Sequence, residues 1–212
     1  MSQSLSYGSL DQLLEQELVQ LEGSFCFAAG TRIATPAGPV AIETLRPGDT
    51  VASVLRGTAQ VVWTGHRRVA CRRRAAGRAD ALPVRVRAGA FADAVPARDL
   101  VLSPDHAVFA EGVLIPVRYL INGETIAPLD VDIVTYWHVE LDRHDVLLAE
   151  GLPAESFLAI DRHAGFPQSA GRGGALAAAY AVRAWEAEGC AELMVTGPRV
   201  DRVRARLAAR AV

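Results

Sequence analysis

Three cysteines and five histidines supply the side chains of this 212-residue chain best suited to nucleophilic or metal chemistry. Cys26 opens the run Cys26-Phe27-Ala28-Ala29-Gly30-Thr31-Arg32-Ile33, behind a short polar segment and ahead of a long series of strand-like pieces. A thiol placed there has a reaction partner in its own backbone. As thiolate it can attack the Phe25 carbonyl and move the acyl group from nitrogen to sulfur. An amide nitrogen leaves poorly unless it receives a proton, and an imidazole titrating near neutrality can supply one, which brings in His66, His106, His138 and His144. A different chemistry is open to the same residues. His106, His138 and His144, with Asp105, Asp142 and Asp145 near them in sequence, could hold a metal for hydrolysis. Cys26, Cys71 and Cys190 are odd in number and widely spaced, with no CxxC pair, so neither a disulfide scaffold nor a structural zinc is indicated. Taken singly, a cysteine is more often a small buried hydrophobe, and a histidine between two strands is more often structural.

The elements that must position these groups are mainly β. Ser9 caps an expected N-terminal helix with Leu10, Leu13, Leu14, Leu18 and Leu21 at helical spacing, and Gly23 ends it. From Cys26 to about Asp161 short strands alternate with turn signals. Arg32-Ile33-Ala34 and Val40-Ala41-Ile42 flank Pro36-Ala37-Gly38-Pro39 as a hairpin, and Arg46-Pro47-Gly48-Asp49 is a further turn into Thr50–Val54. Strands are expected at 60–64, 67–71, 82–87, 100–102, 107–109, 113–116, 135–141 and 146–148. Their spacing is that of a sandwich or barrel-like body. Residues 93–99 and 118–124 read as loop or single-turn helix. Phe166 to Gly174 has the content of a linker, and two Ala- and Arg-rich helices follow, 175–188 and 199–211, as a docking appendage.

Composition removes several function classes. Half the residues are hydrophobic, enough for a core, and the formal net charge of −2 points to no polyanionic partner. All 22 basic residues are arginine, and eight of them fall between Arg67 and Arg87. With no aromatic platform interleaved, that cluster reads as a solvated strand and loop rather than a nucleic-acid surface. No apolar run of about 18 residues provides a membrane span. No basic region followed by an apolar stretch marks a signal peptide, so a cytoplasmic location is the default, with leaderless secretion open.

Three blocks carry a resemblance. The first runs from Cys26 through Gly30-Thr31 and Thr35-Pro36-Ala37-Gly38 to Leu45-Arg46-Pro47-Gly48-Asp49. It resembles the opening motif of the Hint family of hedgehog and intein self-processing modules, which begin at a nucleophilic cysteine. The second, Leu100-Val101-Leu102-Ser103-Pro104-Asp105-His106, is similar to the family's Thr-x-x-His motif with Ser103 in place of threonine. The third, Thr135 to Leu152, resembles the late motif, with His144 at its histidine and Glu150-Gly151 where Asn-Gly is usual. His138 is an additional ring with no clear counterpart. Together they span Cys26 to about Phe157, closest to bacterial Hint proteins.

The resemblance implies a Hint β-fold over 26–164, flanked by the helix of 1–25 and the linker and helical tail of 165–212. It implies Cys26 as nucleophile at the Phe25–Cys26 bond, Ser103 holding the scissile amide, His106 protonating its nitrogen, and His144 completing the site. His66 falls where hedgehog modules carry an aspartate that activates the acceptor. The substrate would be the chain's own N-terminal segment, the acceptor water or a small nucleophile, and no cofactor is implied. Inteins end the late motif with His-Asn, whose asparagine cyclises to free the downstream flank. Here Glu155-Ser156-Phe157 offers no side-chain amide, so full splicing is not expected. The event would be single-turnover. A Hint-like body that binds without cleaving is the alternative of another class, and the histidine-based metal hydrolase a second.

Overall fold

The computed structural model describes residues 25–71, 82–158 and 189–211. The expected N-terminal helix, the linker and the helix at 175–188 lie outside them. Among the described residues thirteen strands join into one antiparallel sheet system. They are β1 (Phe27–Ala28), β2 (Arg32–Ile33), β3 (Val40–Ala41), β4 (Thr50–Ser53), β5 (Gly57–Ala70), β6 (Val84–Val86) and β7 (Leu100–Leu102). β8 (Ala107–Ala110), β9 (Val113–Pro116), β10 (Ile126–Pro128), β11 (Ile133–Leu141), β12 (Val146–Ala149) and β13 (Leu152–Glu155) complete the set. One helix, α1 (Pro198–Ala209), follows.

The expected hairpin at residues 32–42 is present as β2 and β3, with Arg32 opposite Ala41 and Ile33 opposite Val40. The two strands expected at 60–64 and 67–71 are instead one strand of 14 residues, β5. Gly65-His66 reads as a break in sequence, but the ladder runs through it because Gly65 pairs with His138 and His66 with Trp137. β5 ties the sheet together. Its first residues pair with β4, and from Val61 onward it pairs with β11, whose register shifts between Glu140 and Leu141. A bulge of this kind bends a strand and re-aims its side chains. The order β10-β6-β7-β1-β11 lies to one side of β5 and β4-β12-β13-β8-β9 to the other.

β12 and β13 form a hairpin in which Ala149 faces Leu152 across a two-residue loop. Both loop residues have positive φ, Glu150 at 50° and Gly151 at 82°. That is the left-handed pair the twist of a hairpin demands, and asparagine tolerates the first position better than glutamate. Glu150 is held there by its carboxylate, which accepts from the Arg32 backbone N–H at 2.7 Å and pairs with the Arg98 guanidinium at 2.5 Å.

Phe27, Ile33, Leu45, Val51, Leu102, Ile115, Leu147 and Leu152 fill the main core. Val200, Val203 and Leu207 of α1 belong to the same cluster, so the helix packs as part of this body. Their 3–4 residue spacing gives α1 one apolar stripe; Arg202 on another face reaches Glu111, and Arg210 at the C-cap reaches Asp93. No described helix is long and apolar enough to cross a membrane.

Candidate active site around Cys26

β1 is short, but it places Cys26 at the centre of the sheet, because it lies between β7 and β11. The residue before β1 continues the pairing toward β7. Ser103 donates its backbone N–H to the Cys26 carbonyl at 3.0 Å, and the Cys26 N–H donates to Ser103 Oγ at 3.0 Å. Ser103 and His106 are the first and last residues of a turn closed by the His106 N–H donating to the Ser103 carbonyl at 3.1 Å. Serine at the first position and Pro104 at the second favour such a turn, so the Ser-x-x-His spacing is itself a turn signature. Cys26 and Ser103 are buried, as is Phe25 upstream of them, so the Phe25–Cys26 peptide is enclosed by protein.

The ring beside the thiol is His138. Its Nε2 lies 3.2 Å from Cys26 Sγ, and the same ring hydrogen-bonds the Phe25 backbone. Strand periodicity puts it there. In β11 the side chains of Val134, Tyr136 and His138 alternate inward, and Val134 and Tyr136 pack with Cys26, Val69 and Cys71. Across the ladder Arg67 shares this face, and its guanidinium reaches Cys26 Sγ at 4.0 Å. Phe157 closes the other side, its ring edge-on to His138 with centroids 5.0 Å apart. Gly65, directly opposite His138, lets this packing form. A Cβ there would come within 2.1 Å of the Trp63 indole, which lies over the glycine and contacts Phe157.

Burial holds the imidazoles of His138 and His106 in the neutral form. His138 titrates well below the ordinary histidine value, through desolvation first and then the nearby Arg67 and His106 charges. His106 is pushed down to about 3, again by desolvation, with the backbone of Cys26 and Glu155 pulling partly the other way. Its Nε2 sits 3.2 Å from the Glu155 carbonyl and its ring packs against Phe27 with centroids 4.2 Å apart.

The sequence-derived residues therefore separate. Cys26, Ser103 and His138 meet at the Phe25–Cys26 bond, and His106, packed on Phe27, interacts with the Cys26 backbone. His66 sits on the outer face of β5, exposed and stacked on Trp137 at 4.6 Å, because neighbouring residues of a strand point to opposite faces. His144 makes its bonds to Cys190 and Glu155. Arg67 and Phe157 were missed in the sequence. Arg67 sits in an arginine-rich stretch, and only its register opposite Tyr136 turns it inward.

The residues that would build a metal site do not converge. Among the described residues no group of three His, Cys, Asp or Glu side chains is arranged to hold an ion. Asp142 and Asp145 instead both bind Arg56, at 2.9 and 2.6 Å.

A Hint domain family model matches residues 25–161. The chain belongs to the Hint domain family. No curated protein matches it. Among solved structures, a bacterial intein-like domain from Clostridium thermocellum is 16% identical with a TM-score of 0.43, over 64% of this chain and 100% of that one. A DnaB intein from Synechocystis sp. PCC 6803 is 7% identical with a TM-score of 0.42, over 63% of this chain and 99% of that one. In this Hint domain the residues that follow the late motif have structural partners. Ser156 Oγ accepts from the Asp145 N–H at 3.0 Å, and the Phe157 N–H donates to the Val139 carbonyl at 2.7 Å.

Proposed function

We propose that this Hint domain cleaves its own chain once, by an N-to-S acyl shift at Phe25–Cys26, without splicing. The observation that carries the reading is the meeting of three groups on one peptide: Cys26 Sγ 3.2 Å from His138 Nε2, the Cys26 nitrogen 3.0 Å from Ser103 Oγ, and the Phe25 backbone bonded to the His138 ring. Neutral His138 accepts the thiol proton, and the Arg67 guanidinium favours the resulting thiolate. Sγ attacks the Phe25 carbonyl carbon. The imidazolium formed at His138 faces the carbonyl oxygen as it gains charge, where a fixed donor is worth most. The C–N bond then breaks and the proton passes to the Cys26 nitrogen, beside which the Ser103 hydroxyl lies. The product is a thioester. Water attacks its carbonyl, breaks the C–S bond, releases the upstream segment as a carboxylic acid ending at Phe25, and restores the thiol. A small thiol or amine can replace water. His106, held neutral against Phe27, orients the turn that carries Ser103.

Splicing needs a side-chain amide to free the downstream flank. Glu155-Ser156-Phe157 has none, and Ser156 is already bonded to Asp145. Intact mass of the purified chain, with and without hydroxylamine or dithiothreitol, tests the proposal. A fragment ending at Phe25, absent from Cys26→Ala, is the expected result. A chain intact under all conditions would overturn it in favour of a binding module.

A further inference from the structure

A thioester at Cys26 needs an acceptor, and the two approaches to the thiol differ in chemistry. Along β5, Trp63 and Arg67 flank Gly65, the residue opposite His138. On the Trp63 side, the indole folds back over Gly65 and its ring centroid lies 5.7 Å from that of Phe157. Phe157 is held there because its N–H donates to the Val139 carbonyl at 2.7 Å and it bridges Glu140 in parallel. Its ring stands edge-on to His138 with centroids 5.0 Å apart, so this side is walled by aromatic carbon. On the Arg67 side, Nη2 of the guanidinium lies 4.0 Å from Cys26 Sγ. Cys26 and His138 are fully buried, whereas Trp63, Arg67 and Phe157 are partly exposed. Among the described residues, an approaching molecule therefore meets two aromatic rings and one cation. Val69, Val134 and Tyr136, packed with Cys26 on that face, add no charge. Glu140 shares the face of β11 but stands opposite Trp63, where the indole folds toward Gly65.

We propose that the acyl acceptor at this site is a small anionic thiol, selected by Arg67. The inference rests on the cleavage reading and names the nucleophile that resolves its thioester. A guanidinium keeps its charge throughout the working pH range. It favours the thiolate of an incoming thiol as it does that of Cys26. It also offers parallel N–H groups to a carboxylate carried on the same molecule. An alkylamine is an ammonium near neutrality, so the same charge opposes its approach. The transfer balances without a further reagent. His138, neutral once the Cys26 nitrogen has its proton, takes the proton of the incoming thiol. The new sulfur bonds to the Phe25 carbonyl carbon, the C–S bond to Cys26 breaks, and the proton passes to Cys26 Sγ. The upstream segment leaves as the thioester of the small thiol.

The test incubates the full chain with mercaptopropionate, mercaptoethanol or dimethylaminoethanethiol, which are anionic, neutral and cationic. Intact mass separates the acid formed by water from each thioester ending at Phe25. The share of each thioester relative to the acid is divided by the thiol's rate with a free peptide thioester, which removes its intrinsic reactivity. Being a ratio of products, the share does not depend on how fast the chain forms its own thioester. The anionic thiol should exceed the cationic one about tenfold, the low end of what a charged cleft contributes. The preference should narrow in high salt. It should vanish in Arg67→Gln and return in part in Arg67→Lys. Equal corrected shares for the three thiols in the wild-type chain overturn the proposal without any variant, as does a preference unchanged in folded Arg67→Gln. If hydroxylamine still releases the fragment in that case, the acceptor assignment fails alone. If hydroxylamine releases nothing, it fails together with the cleavage reading.

Discussion

Replacing His138 by Gln is the sharpest perturbation of the Cys26 site. Glutamine approximates the volume of the ring in its place between Phe157 and the thiol, so the fold is expected to survive, but it cannot take a proton. An ordinary thiol is only about 3% thiolate at pH 7, so losing the base alone slows attack about 30-fold. The Phe25 backbone also loses its hydrogen bond to an imidazole that becomes charged during the reaction. Removing one such donor costs about 100-fold or more. The two together predict a slowing of about a thousandfold or more, a barrier rise of at least about 4 kcal/mol. The assay is the first-order rate of fragment release in hydroxylamine, followed by intact mass, with the thermal midpoint checking folding. The pH profile adds a second reading. Because burial holds His138 well below its usual value, the rate should show no inflection near pH 6.5 from this group. Wild-type rates in folded His138→Gln, with activity lost instead in His106→Gln, would refute the assignment of the proton to His138.

Three further outcomes follow from the same geometry. Ser103→Ala removes the hydroxyl beside the scissile nitrogen and should slow release about 10- to 100-fold while Ser103→Thr retains it, read in the same mass assay. Folded-state stability should fall on acidification, because His106 is depressed to about 3 against about 6.5 when unfolded, so its contribution is full above pH 6.5 and lost as pH falls toward 3. That amounts to about 2 kcal/mol by pH 5, measurable as a shift of the urea midpoint, and His106→Gln should flatten the dependence. Leu207→Ala should cost about 2–4 kcal/mol in guanidinium unfolding, since Leu207 is buried in the main core. A cost under about 0.5 kcal/mol would mark α1 as a detached appendage.

Much of the fold is legible from short-range rules, because turns and alternation are local. The Pro36-Ala37-Gly38-Pro39 turn, the Arg46–Asp49 turn and the Glu150-Gly151 hairpin all carry their conformations in two to four residues. Local pattern also points away from the structure in two places. Gly65-His66 has the residues of a turn, and it is a continuous strand only because β11 pairs along it. α1 has a polar, arginine-rich composition that reads as an appendage. Its three buried side chains lie at helical spacing, but nothing in their types names the surface they meet.

For the candidate site, the sequence by itself determined that the Cys26 thiol adjoins the Phe25–Cys26 peptide, since the two residues are covalent neighbours. It also determined the coupling of Ser103 to His106, since a four-residue turn is a local object. It also puts no side-chain amide at Glu155-Ser156-Phe157, the place from which splicing would free the downstream flank. Which imidazole meets the thiol was decided only in three dimensions. His66, His106, His138 and His144 are equivalent as types; His106 and His144 sit in turns, while for His66 and His138 strand register decides, since a shift of one residue reverses the face each side chain takes. Register turned His138 and Arg67 toward Cys26 and His66 outward onto Trp137. The pairing of residues 190–194 with β9 brought Cys190 to His144 from 46 positions away. Covalent neighbours and turns are written in the order of residues, whereas the facing of a side chain across a sheet is set by partners distant in the chain.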